Sequence, residues 1–119
     1  VSEKLTDFRQ LNVWQKAHKL VLDVYDLTKK FPKDEKNELV SRIRSSAELI
    51  PVKIGSGFMR RNPKEKEFFY KQSQEKIEEV KYFLILSQDL GYIKDNDEIL
   101  LSTMEVGRML TGLVRSARS

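Results

Sequence analysis

Between Pro51 and Lys66 the chain sets Lys53, Arg60, Arg61, Lys64 and Lys66 against a single carboxylate, Glu65. That excess equals the net charge of +4 of the whole 119-residue chain, in which 22 basic residues face 18 acidic ones. Positive charge is therefore concentrated rather than spread. Asn62 and Pro63, in the same stretch, are the residue types of an N-cap and a first helical position. The cations thus stand where free backbone N–H groups and the positive end of a helix dipole also attract an anion. The chemistry this predicts is contact with phosphate through Lys53, Arg60, Arg61 and Lys64, with Arg44 on the preceding segment extending the field. Such contacts position a nucleic acid without reading its sequence. The plainer role of surface lysines and arginines is solubility. Phe58 lies in the same loop; burial is the stronger tendency for an aromatic, so it is expected to fold onto the end of the protein rather than stack on a base.

Other chemistries find fewer of their residues. There is no cysteine, hence no disulfide framework and no thiolate metal site, and His18 is the single histidine. Gln15 stands three residues before it, so the Glu-x-x-His pair of a di-iron bundle is missing. Its place at the edge of an apolar stripe reads as structural. Gly55-Ser56-Gly57 lacks the lysine and hydroxyl ending of a phosphate loop. Glu75, Glu78 and Glu79 read as a solvated helix face supported by Lys71 and Lys76 at three- and four-residue spacing. No catalytic residue, cofactor or metal is expected. The longest aliphatic and aromatic run, Tyr82 to Leu86, is far too short for a membrane span. These features predict a non-enzymatic, cytoplasmic protein with no membrane partner.

The elements that must carry the basic segment are helical. A length of 119 residues predicts one domain over 1–119, and no stretch shows sustained strand alternation. Four helices are predicted, at about 12–31, 34–56, 63–90 and 96–116. In the first, Val13, Ala17, Leu20, Val24, Leu27 and Phe31 recur by fours and threes, and Pro32 stops it. In the second, Leu39, Ile43, Ala47, Ile50 and Ile54 keep phase across Pro51, which predicts a kinked helix running on towards Gly57. The third opens at Asn62-Pro63 with Glu65 three residues after the cap, and meets no glycine or proline before Gly91. Asp95 and Glu98 repeat the capping pattern before the fourth, with Ile99, Val106, Leu110 and Leu113 on its stripe. Short connections can reach only neighbouring helix ends, so the predicted fold is all-α, an up-down-up-down antiparallel four-helix bundle.

The third helix has more apolar surface than one seam can use. Adjacent residues are 100° apart, so Phe68, Phe69 and Tyr70 cannot share a stripe, nor can the run Tyr82 to Leu86. Half-exposed tyrosines with wet hydroxyls are one explanation. A subunit interface through Phe68, Tyr70, Tyr82 and Ile85 is the other, and predicts self-association. In an assembly each copy would repeat the basic segment and raise its effective concentration. The alternative function is a protein-interaction scaffold that docks a partner through the apolar faces.

Several stretches are similar to one family. Val13-Trp14-Gln15-Lys16-Ala17, the segment Val24 to Pro32, Arg44, Ile50-Pro51, Ile54, Gly57, Arg60-Arg61 and Leu90-Gly91-Tyr92 resemble the bundle proteins encoded within intervening sequences of 23S rRNA genes, often labelled S23 ribosomal proteins. The resemblance implies an antiparallel bundle that assembles as a homopentamer and binds nucleic acid, RNA being the expected partner. Accessory bundles of diversity-generating retroelements look similar. Where the family carries Asn-Ile-Ala-Glu-Gly, this chain reads Lys53-Ile54-Gly55-Ser56-Gly57, and a small Gly-Ser step in the third helix is Glu75-Lys76.

Overall fold

The computed structural model describes residues 5–33 and 38–118. Four helices dominate them: α1 Asn12–Thr28, α2 Leu39–Phe58, α3 Pro63–Asp89 and α4 Asp97–Arg118, with one 3-10 turn, Phe8–Gln10, ahead of α1 and no strand among the described residues. The turn was not foreseen. Its N-cap Asp7 accepts the Arg9 amide, and the Gln10 side chain accepts the Asp7 amide in return.

Local chemistry explains the helix ends. The Asn62 carboxamide oxygen accepts the amides of Lys64 and Glu65, and Pro63 occupies the first helical position, where no amide is needed. At the far end of α3, Gly91 has φ 81°, a conformation that glycine takes without a Cβ clash. It lets the Tyr92 amide reach the Ser87 carbonyl and the Gly91 amide reach that of Gln88, a Schellman closure. α1 stops at Thr28 rather than Phe31. Pro32 disfavours helical geometry at Phe31, and the amides of Lys30 and Phe31 fall back on the carbonyls of Leu27 and Thr28 as a tightened turn. The expected start of α2 at Asp34 lies outside the described residues. α2 does run through Pro51 as far as Phe58, and Ser73 of α3 donates to the Ile50 carbonyl beside the proline at 2.9 Å.

Each helix packs on its chain neighbours and α4 packs on α1, with the α2–α3 contact the most extensive. This is the pairing of a four-helix bundle, 50 × 25 × 19 Å. Ala17, Leu20, Val24, Ile43, Ile50, Ile54, Val80, Leu84, Val106 and Leu110 fill its axis. Among the described residues no helix is long and apolar enough to cross a membrane.

The two ends of the bundle are built differently. One end gathers the 3-10 turn, the end of α2, the start of α3 and Arg118 of α4, which pairs with Glu67. The other closes over an apolar cluster of Phe31, Leu39, Val40 and Ile93, with the Phe31 and Tyr92 rings 5.5 Å apart.

The apolar excess of α3 is divided. Phe68, Tyr82 and Ile85 are exposed, with the charged residues Lys71, Glu75 and Glu78 between them along the helix. Tyr70, expected on a subunit interface, is only 3% exposed and belongs to the core. The reason is Gly57: a Cβ there would stand 2.5 Å from Tyr70 Cε1, so the missing side chain is the space the ring occupies.

Candidate nucleic-acid interface

The four-residue connection between α2 and α3 carries Arg60 and Arg61, and the first turn of α3 carries Lys64; all three are exposed. Lys53 sits one and a half turns before the end of α2, on its α3 side, with Nζ 5.7 Å from the centroid of the Phe69 ring. The Arg60 guanidinium lies 4.7 Å from the same centroid. Phe69 therefore holds two cations against one ring, through the attraction of positive charge to the π face. Sequence reasoning passed Phe69 over as one of three adjacent aromatics. The available signal was its helical register, which sets it on the α2 side of α3.

Lys66 behaves differently from the rest of the segment. Its ammonium donates to the carbonyls of Phe58 at 2.8 Å and Gly57 at 3.3 Å, and lies 5.5 Å from the Phe58 ring. It caps the last carbonyls of α2, which have no intrahelical partner. Loss of water around it lowers the pKa of the amine. Its charge serves the fold, and Phe58 is half-buried beneath it, as expected for a loop aromatic that folds back.

Among the described residues, Lys53, Arg60, Arg61 and Lys64 have no carboxylate within ion-pair distance. Glu67, in the first two turns of α3, is taken by Arg118, whose guanidinium holds its carboxyl below the usual range; Lys71 approaches the same carboxylate at 3.8 Å. Asp7, at the same end, is held by Arg9 through two hydrogen bonds of 3.0 Å. Glu67 and Asp7 are thus already engaged, while Glu65, next to Lys64, forms no ion pair among the described residues.

Arg44 does not join this group. It lies fourteen residues before Phe58, about 21 Å along the α2 axis at 1.5 Å per residue. There its Nε donates to Thr28 Oγ1 at 2.9 Å and its guanidinium lies 4.3 Å from the centre of the Tyr25 ring. The Tyr25 hydroxyl donates to Glu48, a hydrogen bond that pushes the phenol pKa up. Arg44 fastens α2 to α1, and its earlier grouping with the loop is corrected by helix length. His18 is exposed and stacks on Trp14, 5.2 Å between centroids and 13° between planes.

A comparison with curated proteins finds no match. A sequence model of the family described as 23S rRNA-intervening sequence protein matches residues 9–112, most of the chain, with all of α1, α2 and α3 and α4 as far as Gly112. With the helix pairing of a bundle and the Arg60-Arg61 connection in place, that match is decisive: the chain belongs to the 23S rRNA-intervening sequence protein family.

Proposed function

We propose that the protein is a non-enzymatic, cytoplasmic, self-associating bundle that binds RNA without sequence preference through the connection between α2 and α3. One observation carries this reading: at a single end of the molecule Lys53, Arg60, Arg61 and Lys64 have no carboxylate partner among the described residues. Unneutralised cations on a rigid support are what a phosphate backbone requires; the first amides of α3 are taken by Asn62, so the side-chain cations carry the contact. The proposed helix order is up-down-up-down. Contact of the 3-10 turn with the end of α2, and of Arg118 with the start of α3, supports it. Assembly as a homopentamer is what the resemblance implies, and the exposed Phe68, Tyr82 and Ile85 are surface that a second copy would cover.

The test is the double variant Arg60→Ala/Arg61→Ala. Its RNA affinity should fall to a similar extent for every sequence, and the slope of log affinity against log salt should flatten by about 1.4 on a single strand, two phosphate contacts at roughly 0.7 each. Its unfolding midpoint should be unchanged. Unaltered affinity and slope would remove the site. A second reading, a scaffold for a protein partner, has its own observation: Leu101 and Met104 of α4 are exposed as well as Tyr82 and Ile85. Salt-insensitive association with a protein, and none with RNA, would select it.

A further inference from the structure

Three phenylalanines flank the connection between α2 and α3, and cations occupy two of them. Phe58 is half-buried, with the Lys66 ammonium 5.5 Å from its centroid, and Phe69 carries Arg60 at 4.7 Å and Lys53 at 5.7 Å. Phe68 is the exception. It is 57% exposed, and no cation lies over its ring among the described residues. Its centroid is 5.4 Å from that of Phe69 with the planes 80° apart, so the neighbouring ring fixes it without covering it. Lys64 stands one turn before Phe68 on the same face of α3. The Arg60 guanidinium, seated on Phe69, is separated from the exposed ring by that single side chain. An open aromatic face and free cations therefore meet in one patch.

Charge narrows what fits. Lys53, Arg60, Arg61 and Lys64, without carboxylate partners among the described residues, face two acids on the first turns of α3: Glu65, which is unpaired, and Glu67, which Arg118 holds. An apolar face of a second copy would cover Phe68 but strip water from these cations without supplying a counter-charge. Tyr82 and Ile85 lie about 21 and 26 Å further along α3 at 1.5 Å per residue, clear of the cations, and remain for such a contact. A base-paired duplex supplies phosphates but keeps its bases stacked inside. An occupant that satisfies both the ring and the cations has a planar π system joined to an anion. We infer that Phe68 stacks on an unpaired base of a single-stranded nucleic acid whose flanking phosphates lie on Arg60 and Lys64. The inference rests on the reading that this end binds nucleic acid, and names which form it takes. Phe69 is a positioning residue, since its own ring is taken by the cations it holds beside Phe68. Every base has a π face, so Phe68 selects strandedness and not sequence.

The experiment titrates the full chain with a short oligoadenylate and with a blunt RNA duplex of the same number of phosphates, each carrying a dye whose anisotropy is read. The oligoadenylate should bind more tightly. Phe68→Leu keeps an apolar side chain at an exposed position, compatible with folding, but removes the π face. It should weaken the oligoadenylate by about tenfold, leave the duplex unchanged and keep the slope of log affinity against log salt. Phe68→Trp should restore the affinity, and the emission it adds to that of Trp14, the single tryptophan of the parent chain, should be quenched by the oligoadenylate and not by the duplex. Unaltered oligoadenylate affinity in Phe68→Leu, with Arg60→Ala/Arg61→Ala still weakening both RNAs, would overturn the role of the ring and leave the basic connection in place. A smaller assembly of Phe68→Leu in light scattering, with equal losses for both RNAs, would overturn it in favour of a second copy. Binding of neither RNA by the parent chain would sink the inference together with the reading beneath it.

Discussion

The two ends of this bundle solve the same problem by opposite means. At the end that holds Phe31, Leu39, Val40 and Ile93, the helices are closed by apolar burial, and Gly91 turns the chain so that the α3 carbonyls are satisfied within the backbone. At the other end closure is polar. The Lys66 ammonium takes the last carbonyls of α2, and the Asn62 carboxamide takes the first amides of α3. One lysine is used up in this way, and the neighbouring cations are left without carboxylate partners among the described residues. An end sealed by hydrocarbon takes none of its closure from charged side chains, though Lys30, Lys33 and Lys94 flank it. An end sealed by side-chain caps can keep its connection short and still present Arg60 and Arg61 to solvent. The difference teaches that polar closure leaves the cations of the α2–α3 end gathered around one short connection and one ring, Phe69, which makes that end the functional candidate.

Truncating the apolar seal should produce the largest effect on stability. Phe31→Ala removes a ring that is 3% exposed, and a loss of about 3–4 kcal/mol is expected in urea unfolding. RNA binding by the remaining folded protein should be unchanged, because the basic end is at the opposite pole. If RNA affinity fell in step, the two ends would be coupled and the comparison would fail.

A somewhat smaller loss is expected from overfilling the polar end. Gly57→Ala puts a Cβ 2.5 Å from Tyr70 Cε1 and 3.2 Å from Phe69 Cβ, both on α3, so the helices must separate. We expect about 2–3 kcal/mol of destabilisation. Because Phe69 carries Lys53 and Arg60, RNA affinity should fall as well. A stability loss with unaltered RNA affinity would show that the Phe69 ring does not position the cations.

Removing the cap tests the same end more gently. Asn62→Ala should cost about 1 kcal/mol, seen as a lower unfolding midpoint. Amide exchange should quicken at Lys64 and Glu65 first.

The smallest effect is that of pH. Arg118 holds the folded pKa of Glu67 below the ordinary value of 4.5, opposed by burial and aided by Lys71. The stabilisation is therefore fully present above about 4.5, the unfolded value, and is lost as pH falls through the lower folded value. Glu67→Gln should show a shallower loss of thermal stability on acidification than the parent chain. An identical acid profile would mean that the pair contributes nothing, as is common for exposed ion pairs.

Helix number and type followed from the sequence alone, because 3.6-residue periodicity and the residues that cap or break a helix act within a few positions of one another. Asn62-Pro63, Pro32 and Gly91 marked three boundaries through such local effects, and the family resemblance was carried by short contiguous stretches. The 3-10 turn was legible in principle, as Asp7-x-x-Gln10, but a three-residue element has no periodicity to draw attention to it. What needed the third dimension was every statement that joins residues far apart in the chain. Tyr70 is core because Gly57 of another helix leaves it room, and Arg44 is a fastener because helix length carries it away from the connection. Lys66 looks like any other cation of the basic segment until its ammonium is found on the α2 carbonyls. Local propensity determines which backbone a segment adopts; which of its charges remain free is decided by the partners that packing brings within reach.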